Sequence, residues 1–400
     1  MKEPKIRFNG FEGEWEEHSL SENEFSIVAG GDIDKTNLKN SGKFPVIANA
    51  ITNDGILGYY ENSYRVQEPA VTVTGRGEVG IAVARHYSFT PVVRLLSIKS
   101  PHNVDFLANA INCYKVPVES TGVPQLTTAK LQEYRIPMPR TIEEEDAIAS
   151  FFTTIDAQIS ASTSRLASLK QIKAASLQAM FPQEGETVPK LRFKGFEGEW
   201  KKVSFLSLFD ILKNNSLTRA ELNGVEGDVI CIHYGDVLIK YGDLLDVNNE
   251  EVCFISDAKK ANILYSNSPL KEGDVIIADA AEDSTVGKCV ELINISEMKV
   301  VAGLHTIPCR PKLKMAAGFI GHYLNSSAYH NQLLPLIQGT KISSISKKTL
   351  SLTYLMRPSF SEQQSIASYF TNLDRQITLQ SQRLEKLKQI KAACLDKMFV

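Results

Sequence analysis

A glycine-rich string at residues 75–80, GRGEVG, satisfies the GxGxxG pattern of dinucleotide-binding folds. That pattern holds a pyrophosphate only where a helix begins directly after it, because the helix N-terminus meets the phosphate charge. The residues that follow here, IAVAR, form another strand-like run. We therefore predict a hairpin turn at this string and no nucleotide site.

Other motifs that carry chemistry are missing from the sequence. There is no GxxxxGK[ST] phosphate-binding loop and no GxSxG nucleophile elbow. The seven histidines and six cysteines stand apart, with no HExxH, CxxC or similar metal-ligand spacing. We expect no catalytic residue, metal or cofactor in this chain, and reduced, unpaired thiols.

The composition is ordinary for a folded protein and shows no overall excess of positive charge. Lys and Arg number 44 against 46 Asp and Glu, so the formal net charge is -2. This balance argues mildly against nucleic-acid binding, although a basic partner could supply the phosphate neutralisation. The N-terminus has no apolar signal region, and no run of about 18 apolar residues occurs, so we expect a cytoplasmic protein with no membrane contact.

The chain contains two copies of one unit. Residues 4–17, PKIRFNGFEGEWEE, return as PKLRFKGFEGEWKK at residues 189–202, with Trp15 and Trp200 at the same place. A second string, residues 148–181, returns at residues 366–399 with a constant offset. The segments between the strings, 17–140 and 202–358, resemble each other poorly. The order is constant string, variable domain, constant string, repeated.

Each second string predicts one long helix. Capping boxes are predicted at Thr141–Glu144 and Ser361–Gln364, each just after a proline. Apolar residues then recur at steps of four and three, which is the seam of a coiled coil. The seam comprises Ile148, Phe152, Ile155, Ile159, Leu166 and Leu169 in the first copy and Ile366, Phe370, Leu373, Ile377, Leu384 and Leu387 in the second.

The order of segments predicts that the two helices pair antiparallel. The second variable domain follows the first helix and precedes the second helix. It must therefore lie near the C-terminal end of the first helix and the N-terminal end of the second helix. Ser162 and Gln380 interrupt the seam near mid-helix and would then form a polar layer. About 40 residues at ~1.5 Å each make a rod of ~60 Å. The alternative is that each helix only covers its own domain.

Neither variable domain has a sustained helical period. Short β-rich runs lie at residues 70–74, 81–85 and 92–98, and at residues 227–238 and 273–280. One helix is predicted in each domain, around residues 106–113 and 319–334. The predicted fold class is α+β, with two α/β domains joined by two long helices in an antiparallel coiled coil with a pseudo-twofold repeat. The predicted boundaries are 1–140, 141–188 (helix and linker), 189–358 and 359–400.

With this repeat, the chain resembles the specificity subunits of type I restriction-modification systems. The ends carry the resemblance through PKLRFKGFEGEWKK and through EQQSIASYFTNLD, RLEKLKQIKAA and KMF. The first domain adds GKFPVIANA, DGILGYY and TGRGEVG, and the second adds LKEGDVIIADA, VGK and QGTKISSIS. The resemblance covers essentially the whole chain.

This resemblance implies a non-catalytic subunit with two target-recognition domains. Each would read half of a bipartite, asymmetric site in double-stranded DNA, across a spacer of up to roughly 17 base pairs for a ~60 Å rod. The helices would dock two modification subunits, which bind S-adenosylmethionine and methylate adenine. Restriction subunits, which use ATP and Mg, would join through the assembled complex.

DNA reading needs hydrogen-bond donors on turns and polar side chains at base edges. Arg76 is the leading candidate, because a tight turn between Gly75 and Gly77 lets a guanidinium approach a groove; the alternative is an exposed hairpin tip. Asp279, like Glu282 and Asp283, could accept from cytosine N4 or be solvated. Weaker candidates are Lys43, Asn49, Tyr59 and Gln125 in the first domain and Lys213, Asn214, Asn215, His233, Tyr234, Lys288, His305 and Lys341 in the second.

Partner docking is predicted on the exposed flanks of the helices. Arg165 and Lys170 recur in register as Arg383 and Lys388, and two identical partners require two identical surfaces. The alternative is a solvated coiled-coil flank. Two other functions stay open: a methyltransferase or nuclease with unrecognised motifs, and a coiled-coil scaffold whose end domains bind proteins.

Overall fold

The computed structural model describes residues 3–114, 124–339 and 341–399. Thr340, within the QGTKISSIS string, lies outside them. The chain forms two compact units: the first is Met1–Ser164 with Ser381–Val400, and the second is Arg165–Gln380. No helix in the described ranges is long and apolar enough to cross a membrane.

The first unit is built on a four-stranded sheet of order β2-β8-β5-β6 and a three-stranded sheet of order β4-β3-β7. Strand β9 pairs with β1 beside them. The strands are β1 (Glu16–Ser19), β2 (Ser26–Ala29), β3 (Phe44–Ile47), β4 (Ile56–Tyr60), β5 (Ala70–Thr74), β6 (Ala82–Arg85), β7 (Thr90–Pro91), β8 (Leu95–Lys99) and β9 (Arg135–Met138). The helices are α1 (Val104–Cys113), α2 (Thr128–Gln132) and the N-terminal part of α3 (Ile142–Ala179).

The second unit has a five-stranded sheet of order β11-β20-β16-β18-β14, a four-stranded sheet of order β12-β15-β13-β19, and the pairs β10-β22 and β17-β21. The strands are β10 (Lys201–Ser204), β11 (Phe209–Ile211), β12 (Leu222–Asn223), β13 (Val229–Ile232), β14 (Leu244–Asp246), β15 (Phe254–Ile255), β16 (Val275–Ala278), β17 (Ala280–Ala281), β18 (Cys289–Ile293), β19 (Lys299–Ala302), β20 (Thr306–Pro311), β21 (Ser343–Ser344) and β22 (Tyr354–Arg357). The helices are α4 (Phe205–Leu208), α5 (Tyr234–Ile239), α6 (Ala258–Asn267), α7 (Phe319–Asn325), α8 (Ser327–Leu333), α9 (Lys347–Ser351) and α10 (Phe360–Met398). These strands and helices confirm the α+β class.

The long helices α3 and α10 pair antiparallel within each unit, as predicted. In the first unit Lys391 Nζ, near the end of α10, lies 2.6 Å from Asp156 Oδ1 of α3. In the second unit Lys173 Nζ, near the end of α3, lies 2.6 Å from Asp374 Oδ1 of α10. These are the same two repeat positions with the helices exchanged. All the predicted seam residues are buried or half-buried, as are Ser162 and Gln380.

The predicted capping boxes at the starts of these helices do not form. Helix α10 begins at Phe360, so Ser359 precedes it, and Glu362 N donates to Ser359 Oγ over 3.3 Å. Helix α3 begins at Ile142, directly after Thr141 as predicted. The Glu144 carboxylate, however, binds distant side chains instead of the helix start.

Those side chains belong to the first repeated string, which fastens each domain to a long helix. Arg7 binds Glu144 through Nε and Nη2, both over 2.8 Å. Arg192 binds Glu362 in the same way over 2.7 and 2.8 Å. Trp15 Nε1 adds a 3.3 Å contact to Glu144. The repeated string therefore supplies a bidentate, largely buried ion pair in each unit.

The ends of the long helices complete the two hydrophobic cores. The Phe399 ring, just after α10, lies 5.4 Å from Phe106 and 6.1 Å from Trp15 in the first unit. The Phe181 ring, just after α3, lies 6.0 Å from Phe319 and 6.3 Å from Trp200 in the second. The repeated tryptophans are thus core residues, and each core contains the end of the helix that begins in the other unit.

Three predicted elements differ in extent from their sequence runs. The strand expected over residues 92–98 begins only at Leu95, because Arg94 has a left-handed backbone with φ 75. The run at residues 227–238 is a strand to Ile232 and then helix α5, capped by His233. The helix expected over residues 319–334 is interrupted at Ser326, which is extended.

Candidate nucleic-acid interface

The two variable domains share one backbone framework despite their unlike sequences. In the first unit Gly75 N donates to Arg94 O over 3.0 Å, and Leu126 N donates to Gly75 O over 2.8 Å. In the second, Asp279 N donates to His305 O over 3.0 Å, and Ile345 N donates to Asp279 O over 2.9 Å. These bonds follow the antiparallel pairs β5-β8 and β16-β20, so Gly75 corresponds to Asp279 and Arg94 to His305.

A pair of asparagines confirms this correspondence on the helical side. Asn112 of α1 accepts from Ala82 N and donates to Ala82 O, both over 2.8 Å. Asn325 of α7 makes the same two bonds with Cys289, both over 2.9 Å. Each amide binds the first residue of a strand, β6 or β18, as a neighbouring strand would. Sequence reasoning did not single out either asparagine.

The framework also includes a parallel strand pair that recurs in both units, β3-β7 in the first and β13-β19 in the second. Val92 N donates to Ile47 O over 2.9 Å, and Gly303 N donates to Ile232 O over 2.8 Å. The chain segments after these strands therefore meet in one place, which we call the loop edge. It comprises residues 48–50, 75–80, 92–94 and 124–126 in the first unit and 233–234, 279–281, 303–305 and 343–345 in the second.

The loop edge of the first unit is built around the GRGEVG turn. This turn joins the antiparallel strands β5 and β6, as predicted. Asn49 Oδ1 accepts from Gly75 N and Asn49 Nδ2 donates to Arg76 O, both over 2.7 Å. A Cβ on Gly75 would lie 2.4 Å from Arg94 O, and Gly77 has φ 77. The structure thus uses Asn49 and the glycines to hold the turn that carries the half-buried Arg76.

Of the remaining candidates of the first domain, one lies on this edge and two lie away from it. Gln125 is exposed on it and bridges to Arg76 through the backbone. Tyr59 instead pairs with Pro45 in the β3-β4 hairpin, at the opposite end from Asn49. Exposed Lys43 directly precedes β3, with Nζ 5.1 Å from the centre of the Phe44 ring.

The loop edge of the second unit contains an aromatic and histidine cluster. The Tyr234 ring lies 4.6 Å from the His233 ring and 5.2 Å from that of His305. His305 Nδ1 lies 3.2 Å from Asp279 Oδ1. Burial, followed by the charge of Arg219, lowers the pKa of His233, and burial raises the pKa of Asp279. Gly235 N donates to His233 Nδ1, so the proton of the neutral ring lies on Nε2.

The remaining candidates of the second unit divide by exposure. Lys213 and Lys341 are exposed, and Asn214 is half-buried. Asn215 is 6% exposed and donates to Ala302 O and Ser268 Oγ over 2.9 and 3.0 Å. Lys288 Nζ donates to two backbone carbonyls, both over 2.9 Å, and burial lowers its pKa. The last two side chains therefore bond within the domain.

A family model described as the type I restriction modification DNA specificity domain matches residues 12–171 and 197–389. The chain belongs to this family. The match falls on both copies of the internal repeat, so this protein has two specificity domains. It confirms the family predicted from the sequence.

Two relatives with similar sequences are type I specificity subunits. One from Mycoplasma pneumoniae (strain ATCC 29342 / M129 / Subtype 1) is 31% identical over 110 residues, 27% of this chain and 30% of that protein. The type I restriction enzyme EcoKI specificity subunit of Escherichia coli (strain K12) is 28% identical over 130 residues, 32% of this chain and 28% of that protein. The matches thus span about a third of these relatives.

Solved structures of type I systems have the same fold. A type I restriction-modification S subunit from M. genitalium aligns with TM-score 0.64 and 14% identity, over 100% of this chain and 99% of that one. A chain from a structural study of complex assembly and conformational transition of the type I system aligns with TM-score 0.50 and 17% identity, over 94% and 98%. At these identities the likeness is one of fold.

A buried polar cluster of the second specificity domain has ligand types that could suggest a metal. Asp243, His322 and Asp374 bring ligand atoms within 4.8 Å of one another. The Lys173 ammonium, however, binds Asp243 over 2.7 Å and Asp374 over 2.6 Å. Burial opposes its charge, but the two carboxylates more than compensate and raise the pKa of Lys173. A metal on the same carboxylates would meet that charge, so we assign the cluster to an ion-pair network that fastens α3 to the domain.

Proposed function

We propose that this specificity protein directs a type I restriction-modification complex to a bipartite, asymmetric site in double-stranded DNA. Each unit would read one half-site through its loop edge. The observation that carries the proposal is the pair of equivalent loop edges on one backbone framework, bearing different polar side chains. Because the two units share one backbone framework, they would bind DNA in the same orientation. Because their edges bear different side chains, they would read different base sequences.

The chemistry of the two edges supports this difference. The first offers Arg76 and Gln125 on a turn held by Asn49, and arginine at a base edge selects guanine. The second offers His305 with Asp279, a donor and an acceptor next to an aromatic ring. Phosphates or bases near the second edge would be contacted by Lys213, Asn214 and Lys341. Because Lys43 and Tyr59 lie away from the loop edge of the first unit, they would contact DNA only if it extends past that edge.

The near-neutral charge of the chain fits a reader that works within a complex. With a net charge of -2, it would not hold DNA firmly by phosphate contacts alone. Two methyltransferase subunits would supply most of the positive charge, and also the S-adenosylmethionine site. Restriction subunits would bring ATP and Mg to the same assembly, and this chain would contribute no catalytic residue.

The long helices offer two equivalent surfaces for these methyltransferase subunits. Arg165 and Lys170 of α3 and their repeat equivalents Arg383 and Lys388 of α10 are all exposed. A surface that is duplicated by sequence and exposed in both copies suits two copies of one partner. In the same proposal, the helices between the two edges set the length of the unread spacer.

The test is reconstitution with a type I modification subunit, followed by sequencing of the methylated bases in plasmid DNA. We expect methylated adenines within one bipartite sequence, and no methylation by either protein alone. Methylation without sequence preference would overturn the proposal. A chain that assembles with no modification subunit and shifts no DNA would favour the scaffold alternative.

A further inference from the structure

Arg94 and His305 hold the same place in the two units and share an unusual backbone. Each follows the second strand of the parallel pair, β7 or β19, and directly precedes the next strand. Their φ angles are 75 and 53, in the left-handed region that favours glycine. The sequences around these two residues do not resemble each other, so their shared left-handed backbone is a property of the common framework and not of a common local sequence.

This conformation is costly for a side chain with a Cβ, and arginine is seldom found in it. The framework imposes it, because the carbonyl of each residue must accept the hydrogen bond from Gly75 or Asp279. Glycine would satisfy the same backbone without strain. A long polar side chain at both positions therefore needs a reason outside the stability of the domain.

Both side chains are exposed hydrogen-bonding groups on the loop edge. Among the described residues, no side chain or carbonyl binds the Arg94 guanidinium through a hydrogen bond or ion pair. The His305 side chain is 49% exposed, and its Nδ1 faces Asp279, which leaves Nε2 for another group. Arg94 also adjoins the turn that carries Arg76, since its carbonyl binds Gly75 N.

We propose that Arg94 and His305 are equivalent specificity-determining residues, each reading one base pair of the half-site bound by its unit. This inference rests on the proposed function and names the side chains that perform it. Arg94 donates to O6 and N7 of a guanine, the pairing that suits a guanidinium. His305 reads its base pair through Nε2, with Asp279 holding the ring. Arg94 was not among the candidates found from the sequence.

Arg94→Gly and His305→Gly test the proposal in the assembled methyltransferase complex. Glycine removes the side chain and keeps the backbone, so neither variant should have a lower Tm than the parent protein. Asn294→Gly is the matched control, since Asn294 also has positive φ, 52, but precedes β19 at the end away from His305. Methylated plasmid libraries are sequenced for all four proteins.

We expect each loop-edge variant to lose preference at one base pair of one half-site, by about tenfold to a hundredfold, with the other half-site unchanged. The two variants should affect opposite half-sites, and the control neither. If the parent complex methylates a bipartite sequence and both variants keep it unaltered, the inference is wrong and the proposed function stands. If the parent complex recognises no bipartite sequence, the proposed function itself fails. A marked fall in the Tm of either variant would also count against the inference, because it would give the side chain a structural role.

Discussion

Glu291 should make the stability of the second unit depend on pH near neutrality. Its side chain is 2% exposed and accepts from Gly318 N and Gly321 N over 2.7 and 2.8 Å, at the start of α7. Burial raises the pKa of Glu291 from 4.5 to about 7, more than these hydrogen bonds lower it. Glu291 is therefore partly protonated in the folded protein at neutral pH.

The sign and size of the effect follow from this difference. The folded-state pKa lies above that of the unfolded chain, so the favourable contribution is complete below about pH 4.5 and is lost as pH rises through about 7. At about 1.4 kcal/mol for each pH unit, the free energy of unfolding should fall by about 3 kcal/mol over that range. Glu291→Gln keeps an accepting oxygen and removes the titration.

The assay is urea unfolding between pH 5 and pH 8, followed by tryptophan fluorescence. Trp200 lies in the second unit and Trp15 in the first, so a Trp15→Phe background makes the signal specific. We expect the parent protein to lose stability relative to Glu291→Gln as pH rises. The exposed Glu272→Gln serves as the control and should follow the parent protein. A difference between the parent and Glu291→Gln that stays constant with pH would refute the reasoning.

Three further predictions test the repeat. Arg192→Ala leaves the buried Glu362 without its cation and should lower the free energy of unfolding in urea by about 3 kcal/mol. Arg192→Lys should recover only part of this stability, because lysine cannot form the bidentate pair. Phe181→Ala should cost about 3–5 kcal/mol in the second unit, read from Trp200, because Phe181 is fully buried. Phe399→Ala should cost less in the first unit, read from Trp15, because Phe399 is half-buried. Equal loss in both units from either change would contradict the separate cores. Inserting about one heptad in both α3 and α10 should lengthen the spacer between the two half-sites and leave the sequence of both half-sites unaltered. A changed half-site would contradict the proposal that the helices set only the spacing.

Local sequence patterns were sufficient for the helices and the repeat. The four-and-three spacing of apolar residues predicted α3 and α10, and their seam residues are buried or half-buried as expected. The order of the segments predicted antiparallel pairing, which the Lys391–Asp156 and Lys173–Asp374 ion pairs confirm. The turn at residues 75–80 was also predicted correctly, because the strand-like run after it excluded a helix.

Capping and side-chain roles depended on contacts far along the chain. Glu144 was assigned to a capping box, yet its carboxylate binds Arg7, which lies 137 residues away. Asn49 and Asn215 have the chemistry of DNA contacts, but their amides hold backbone groups within the domains. Residue type alone could not distinguish these roles, because an amide serves a base edge and a buried carbonyl equally well.

The sequence by itself determined the duplication and the two long helices, since these follow from repeated strings and periodicity within short segments, and the resemblance of its motifs indicated the family. Only the tertiary structure decided that the two unlike variable domains share one framework. That framework is held by backbone hydrogen bonds and by Asn112 and Asn325, and backbone bonds place few demands on side-chain identity. The same bonds set the left-handed backbones of Arg94 and His305, which no local pattern predicted.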